Sequence, residues 1–527
     1  MEQFQFTYTA SELIDKIRGP RLTVDHDYGL NDKLTKIQTL KKDSTTEVYS
    51  ESYTYNAEEQ IETATNPLDG KKAYSYTQEG FLKSVTKGSE ILNYSYDNFG
   101  NLLKSTDQSG KILTDNQYGQ GNRITSSIQF DQATQKYKKV TYSFSPDGSL
   151  LKESISKAAD TYDSAKTASE ETVKEYRYGA INMLLGITTK KNGTVTEKIE
   201  FTYDSEDNRS SKKVTTSQGE RTEFYYYDAN GDLSGVSEKN GIDNVQQLSN
   251  FYRDANGQLL NFKYKGKAYD YVYNQRGDIV AITNELQETI ARYTYDEWGN
   301  LLKIDAPTPL GVEVASANPF RYVGKYGVQY DNDTELYFMG WRDYDSKVGR
   351  FIVADEYEGE DDNPISFNRY LYAEADPVNN IDPDGLAPKW LKKLKKGIKK
   401  ASKAAYNYAI GDDIRTIRSK KTKWYQKAGA TVFIASNFIP GGGVVSKLAK
   451  AAYKGTSKAV KAYRTVKIVS KKTYRSTAKR VAAKVYKRPK TVPARSIKSS
   501  PRKESRSAAK VIRTTKKAKP KVAKRAQ

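Results

Sequence analysis

From the N-terminus to about residue 305, apolar and polar positions alternate with a period of two, and most of the apolar ones are aromatic. One unit recurs: aromatic-x-aromatic, then Asp or Asn, a short polar stretch often containing Gly, then Leu or Ile. It stands as YSYDNFGNLL at 94–103, YTYDEWGNLL at 293–302, YYYDANGDL at 225–233 and FTYDSEDNR at 201–209. Looser copies start at Tyr53, Tyr74, Phe251 and Tyr271, with others near Tyr28, Tyr118, Tyr142 and Tyr178. That makes about twelve, roughly 20 to 34 residues apart. Aromatics at i and i+2, such as Tyr94/Tyr96 and Tyr293/Tyr295, share one face of a strand. Asp97, Asp228 and Asp296 are placed to bond the backbone at a turn, where Gly100, Gly231 and Gly299 can take φ > 0. The next Leu or Ile starts the returning strand. A hairpin of this kind cannot bury its own face, so neighbouring copies are expected to join into one continuous sheet.

After Leu386 the alternation stops and the spacing becomes helical. Trp390, Leu391, Leu394, Ile398 and Ala401 fall on one face, while Lys392, Lys393, Lys395, Lys396, Lys399 and Lys400 fill the others. A second helix is expected over 427–438, ending at the Pro440 to Gly443 break, and a third over 444–461. Beyond about Lys487 the chain is rich in Lys, Arg, Ser and Pro, the composition of a flexible arm.

Composition sharpens this picture. Only 37% of residues are hydrophobic, yet 41 are tyrosines, so the core must be built from aromatics whose hydroxyls need partners. There is no Cys, which excludes disulfides, thiolate metal sites and cysteine nucleophiles. The net charge of +22 hides a split: residues 388–527 carry 43 Lys and Arg against Asp412, Asp413 and Glu504, a net +40, and residues 1–387 carry −18. Two parts with different partners are implied. The split also leads us to expect acidic inward faces on the sheet, with the basic segment starting near the acidic insert at 358–362. No basic stretch followed by an apolar run opens the chain, so any export signal would lie upstream in a longer parent. The most apolar stretch, 428–439, is too short to span a bilayer.

The recurring unit is the YD-repeat signature, and residues 1 to about 305 resemble the Rhs/YD family. That resemblance implies repeats wound into a hollow β-cocoon around a toxic C-terminal segment. About a dozen hairpins are too few for a whole cocoon, so its C-terminal part is expected here. Residues 318–386 look like the Rhs-associated core, carried by NPFRYVG at 318–324, LYFMGWRDYD at 336–345, GRFIVAD at 349–355, NRYLYAEADPV at 368–378 and IDPDGL at 381–386. Three positions depart from the pattern: Glu335 stands for Gly, Ser346 for the Pro of YDP, and Glu356 for the Pro of the second DP. In some family members this core is an autoprotease that cuts just after DPxGL. The resemblance implies Arg342, Asp343 and Asp355 as its catalytic residues, with the bond between Leu386 and Ala387 as the scissile one. Two carboxylates held close cannot both ionise, so one keeps a proton as acid while the other activates water. An adjacent Arg can tune them or hold the oxyanion. The alternative is that Asp343, Asp345 and Asp355 only cap turns of a β-plug. The expected fold is mainly β: a YD-repeat β-hairpin shell (1–305) closed by an Rhs core (306–386). A basic helical pre-toxin segment (387–465) and a basic flexible tail (466–527) follow.

The chemistry of the tail is narrowed by what it lacks. The only histidine, His26, lies in the repeats, where an exposed strand position is expected. Histidine-based RNase chemistry is thereby excluded from the tail, three acids argue against a multi-carboxylate metal site there, and neither metal nor cofactor is expected. The glycines at 441–443 precede no GK[ST] and mark a helix break. An RNase built on Lys, Arg, Ser and Thr remains, with cations stabilising phosphate charge. Tyr453, Tyr463, Tyr474 and Tyr486 suit base stacking or helix packing equally. The whole chain resembles wall-associated Rhs toxins of Bacillus-like bacteria. This implies secretion, cell-wall association and contact-dependent growth inhibition by a toxin segment, often a tRNA nuclease, delivered to the target-cell cytoplasm. It also implies a cognate immunity protein, acidic if it must neutralise a +40 segment. Two other readings stay open: a truncated or displaced carrier without an active toxin, and a membrane-active basic peptide.

Overall fold

The computed structural model describes residues 4–179, 182–241, 243–254, 257–359 and 364–385. The expected C-terminal helices, the tail, Leu386, Ala387 and most of the acidic insert lie outside the described residues. Among the described residues the repeats form one antiparallel sheet of 26 strands, from β1 (Gln5–Tyr8) to β26 (Leu301–Asp305). Every strand pairs with its neighbour in sequence, so the sheet is a continuous meander.

The turns work as their residues demand. Asp97 accepts the N–H groups of Phe99 and Asn101 at 2.9 and 3.0 Å. Asp204, Asp228 and Asp296 do the same two and four residues on. Gly299 closes one such turn at φ 92°, and a Cβ there would stand 2.7 Å from the Tyr322 ring. Beside each turn the pairing slips by a residue, as at Tyr96, Tyr227 and Tyr295, a bulge that deepens the local twist.

The second tyrosine of the repeat has a task that pattern alone does not reveal. Its hydroxyl donates to a backbone carbonyl of the preceding repeat, at the residue where that repeat's return strand begins. Tyr28 reaches Ile14, Tyr55 reaches Leu34, Tyr76 reaches Ile61, Tyr96 reaches Leu82, Tyr118 reaches Leu102, Tyr203 reaches Leu184, Tyr227 reaches Arg209 and Tyr295 reaches Ile279, at 2.6 to 2.9 Å. Tyr273 makes the same bond to Leu259. Nine repeats are thus stapled to the one before by a half-polar ring that also fills the core, and each such bond contributes about 1 kcal/mol net.

The meander folds back so that its early and late strands meet. Arg21 grips Asp270 with two nitrogens, at 2.5 and 3.0 Å, and Lys72 pairs with Glu297 at 2.8 Å. Leu22, Ile37, Val48 and Ile61 pack with Val272 and Ala281 in the same seam. His26 falls beside this seam, which corrects the expectation of an exposed position. It is half-buried and lines a small cavity with Leu259, Tyr271 and Lys325. Burial, and then Lys325, push its pKa down to about 4. Strand alternation could not foresee that a second layer would cover that face.

After β26 a short helix, α1 (Pro309–Ala317), opens at Thr308, whose hydroxyl accepts the Gly311 N–H. No element was expected there. The core segment then adds a four-stranded sheet of β27 (Gln329–Asp331), β28 (Leu336–Met339), β29 (Arg342–Asp345) and β30 (Arg350–Phe351). Its tyrosines dock on the repeat turns: Tyr322 donates to the Glu297 carbonyl, Tyr344 to that of Trp298 and Tyr337 to that of Gly299, at 3.1, 2.8 and 2.7 Å. Tyr370 reaches the carbonyl of Gly148 on another turn, at 2.9 Å. Tyr322, Tyr337, Tyr344, Phe351 and Tyr372 join Trp298 and the late strands in one large aromatic core.

Candidate functional site

All four residues of β29 are buried, three of them charged. Charges survive there only if each finds a partner, and strand alternation sends them to opposite sides. Arg342 goes one way. Its Nη2 stands 3.0 Å from Asp355 and 3.5 Å from Asp382, its Nη1 donates to the Arg369 carbonyl at 3.1 Å, and its Nε donates to the Gly385 carbonyl at 2.5 Å. The Phe351 ring covers the guanidinium at 3.7 Å. Burial lowers the Arg342 pKa, and Asp355 and Asp382 work against that shift.

Asp343 goes the other way. It pairs with Arg209 of the repeat sheet at 3.4 Å, in the strand Arg209–Thr216. Burial raises its pKa while Arg209 opposes the rise. Arg209 itself lies over the rings of Phe201 and Phe338. The structure therefore brings Arg342 and Asp355 together but joins Asp343 to Arg209. The second carboxylate on Arg342 is Asp382, which the sequence reading did not single out within IDPDGL. Its one available signal was position, four residues before Leu386.

Asp355 is set by its own loop: its N–H donates to the Arg369 carbonyl at 2.8 Å, and its Oδ1 accepts the Tyr357 N–H at 2.9 Å. Asp355 is the more open of the two carboxylates, with 22% of its side chain exposed against 5% for Asp382, so water reaches the pair from the Asp355 side. Two carboxylates, one guanidinium and a gripped backbone carbonyl can hold a peptide and exchange protons with it. The gripped carbonyl belongs to Gly385, one residue before Leu386. Leu386 and Ala387 themselves lie outside the described residues.

Two further titratable groups sit between sheet and core. Lys212 is buried among Glu223, Asp331 and Asp333 at 3.2, 3.2 and 2.6 Å. Glu153 is buried with its pKa pushed up to about 7, by burial first; Lys174 opposes this and Asp345 adds to it. A cavity of about 570 Å³ lies where the early and late strands meet, lined by Tyr49, Glu51, Lys72, Arg276 and Asp278 among others. Among the described residues no cluster of three or more His, Asp or Glu is arranged to hold a metal, and no helix is long and apolar enough to cross a membrane.

Comparison with known proteins places this architecture. The chain is 32% identical over 447 residues to the tRNA nuclease WapA of Bacillus subtilis strain 168, covering 80% of this chain and 17% of that protein. It is 30% identical over 371 residues to the tRNA3(Ser)-specific nuclease WapA of Bacillus spizizenii, covering 65% and 15% respectively. The chain thus spans less than a fifth of these relatives. A crystal structure of TcdB2-TccC3 overlays with a TM-score of 0.39 at 17% identity, covering 73% of this chain and 22% of that one. The chain is a YD-repeat shell of the Rhs type, related to the WapA toxins. The model of the Teneurin YD-shell family matches residues 1–378, and the chain belongs to that family.

Proposed function

We propose that this chain is the C-terminal part of a secreted, cell-wall-associated toxin for contact-dependent growth inhibition. In this reading the core closes the repeat shell and cuts the chain between Leu386 and Ala387. The basic segment so freed cleaves RNA, tRNA in particular, in the cytoplasm of a target cell. The observation that carries the reading is the Arg342 cluster: Asp355 and Asp382 share one guanidinium nitrogen, and the same guanidinium holds the carbonyl one residue before Leu386.

The reaction is a hydrolysis. One carboxylate takes a proton from a water molecule whose oxygen adds to the Leu386 carbonyl carbon. The other carboxyl group gives its proton to the Ala387 nitrogen as the C–N bond breaks. The products are a new carboxyl group on Leu386 and a free amine on Ala387. Arg342 holds the pair and the chain in place. Asp343, on Arg209, acts as an anchor for the strand that carries Arg342.

The nucleic-acid half of the proposal is supported by the net +40 of residues 388–527, which binds phosphates whatever their sequence, and by relatives that are tRNA nucleases. A producing cell then needs an acidic immunity protein. The expressed chain should resolve into two fragments, and Asp355→Asn should leave it whole. The processed protein should cut tRNA at low salt. A chain that stays whole on long incubation sinks the self-cleavage, and a processed chain inert toward tRNA sinks the nuclease.

A further inference from the structure

The cavity of about 570 Å³ between the early and late strands has one enclosed charge on its wall without a counter-charge. The strand Glu47–Tyr55 sends Tyr49, Glu51 and Tyr53 to one face, because side chains two apart share a side. One Glu51 oxygen accepts both hydroxyls, from Tyr49 at 2.8 Å and from Tyr53 at 2.6 Å. The other oxygen has no partner among the described residues, and no described cation pairs with the group. The cations beside it are spent elsewhere: Lys72 on Glu297 at 2.8 Å, and Arg276 on Asp278 at 2.7 Å. Burial raises the Glu51 pKa, against the pull of the Tyr53 and Tyr49 hydroxyls. The surface that Glu51 keeps open therefore belongs to the enclosed cavity and not to bulk water. Gln275 brings a second acceptor to the same wall. Its backbone N–H donates to the Tyr53 hydroxyl at 3.1 Å, and its side-chain carbonyl oxygen is buried without a donor.

What this wall lacks is donors and one positive charge. A water molecule brings two donors, but also an oxygen that itself needs donors. A primary ammonium group brings three donors, no acceptor and the missing charge. The aromatic rings of Tyr74 and Tyr293 line the same cavity, and such rings add to the hold on a cation. Cavities of this volume take small organic molecules. We propose that the cavity is a binding site for a small organic cation, a primary amine whose ammonium group pairs with the free oxygen of Glu51. The site needs neither the self-cleavage nor the nuclease chemistry proposed above.

The test titrates the full-length chain with 2-phenylethylammonium in an amine-free buffer and follows the heat. The net +40 of residues 388–527 repels this probe, so uptake reports on the rest of the chain. Saturable binding at one site is expected, with 2-phenylethanol, the same ring without the charge, at least about tenfold weaker. Glu51→Gln keeps an acceptor for both tyrosine hydroxyls and should weaken binding about tenfold or more. Glu62→Gln, exposed on the neighbouring strand, should change nothing. Nα-acetyl-lysine amide carries the same ammonium on a peptide unit, and the tighter of the two amines identifies the source. No binding of either amine at about 10 mM, equal binding of 2-phenylethanol, or equal loss in Glu51→Gln and Glu62→Gln would each overturn the proposal, as would unchanged binding in Glu51→Gln. Should Glu51→Gln fail to fold, the charged and neutral probes on wild-type chain still decide it.

Discussion

The repeat sheet and the core segment bury polar groups by opposite means. In the sheet one device is copied: the tyrosine hydroxyl of each of nine repeats bonds a carbonyl in the repeat before it. Losing one leaves the others in place. In the core, Arg342 gathers Asp355, Asp382 and the carbonyls of Arg369 and Gly385 around a single guanidinium, an arrangement without a second copy among the described residues. Repetition spreads stability over many small contributions. The irregular segment concentrates charge, strain and chemistry in a few residues that cannot substitute for one another.

The largest expected effect breaks the core. Arg342→Met leaves two carboxylates and two carbonyls without their cation, and losing one partner of a buried pair costs about 3–5 kcal/mol. Denaturant unfolding should register that loss, and self-cleavage should vanish with it. A variant as stable as wild type would mean the cluster is solvated and the contrast with the repeats is false.

Next comes the seam between the regions. Glu153 has a folded pKa of about 7 against 4.5 ordinarily, so the fold holds it protonated. Stability is therefore fully present below about 4.5, is lost as pH rises toward 7, and stays lost above it. Glu153→Gln should stabilise the protein at pH 8 by about 3 kcal/mol at most, and hardly at all at pH 4. Thermal melts at the two pH values check this, and an equal effect at both would remove the titration from the account.

A single repeat contact should matter less. Tyr96→Phe keeps the ring and removes the bond to the Leu82 carbonyl, for about 1 kcal/mol. Tyr227→Phe, in a distant repeat, should add to it independently. A collapse well beyond the sum would show that the repeats are cooperative rather than interchangeable. Smallest of all, Lys213→Ala removes the exposed pair with Glu220 on the sheet surface and should leave the melting midpoint unchanged.

The strands, turns and aromatic core of the repeats were legible because each rests on local chemistry: period two, an Asp that bonds the N–H groups two and four residues on, and a glycine at positive φ. Three features were not. The tyrosine staples end on carbonyl oxygens, which every residue possesses and no pattern marks. The return of the sheet upon itself joins Arg21 to Asp270, a pairing that depends on accumulated twist. His26 was misplaced for that same reason. At the candidate site the structure pairs Arg342 with Asp355, two of the residues that the motif resemblance implied, but two adjacent charges on one strand face apart. Asp343 was therefore drawn to Arg209, and the place beside Asp355 fell to Asp382.

That exchange is the central claim, and one experiment addresses it directly. Full-length chains carrying Asp382→Asn and Asp343→Asn are incubated beside wild type, and the masses of all fragments are measured over time. Wild type and Asp343→Asn should both give a fragment ending at Leu386, with Asp382→Asn remaining whole. Cutting of Asp382→Asn at the wild-type rate, with Asp343→Asn left whole, would contradict the account and put the reaction on the other side of the strand.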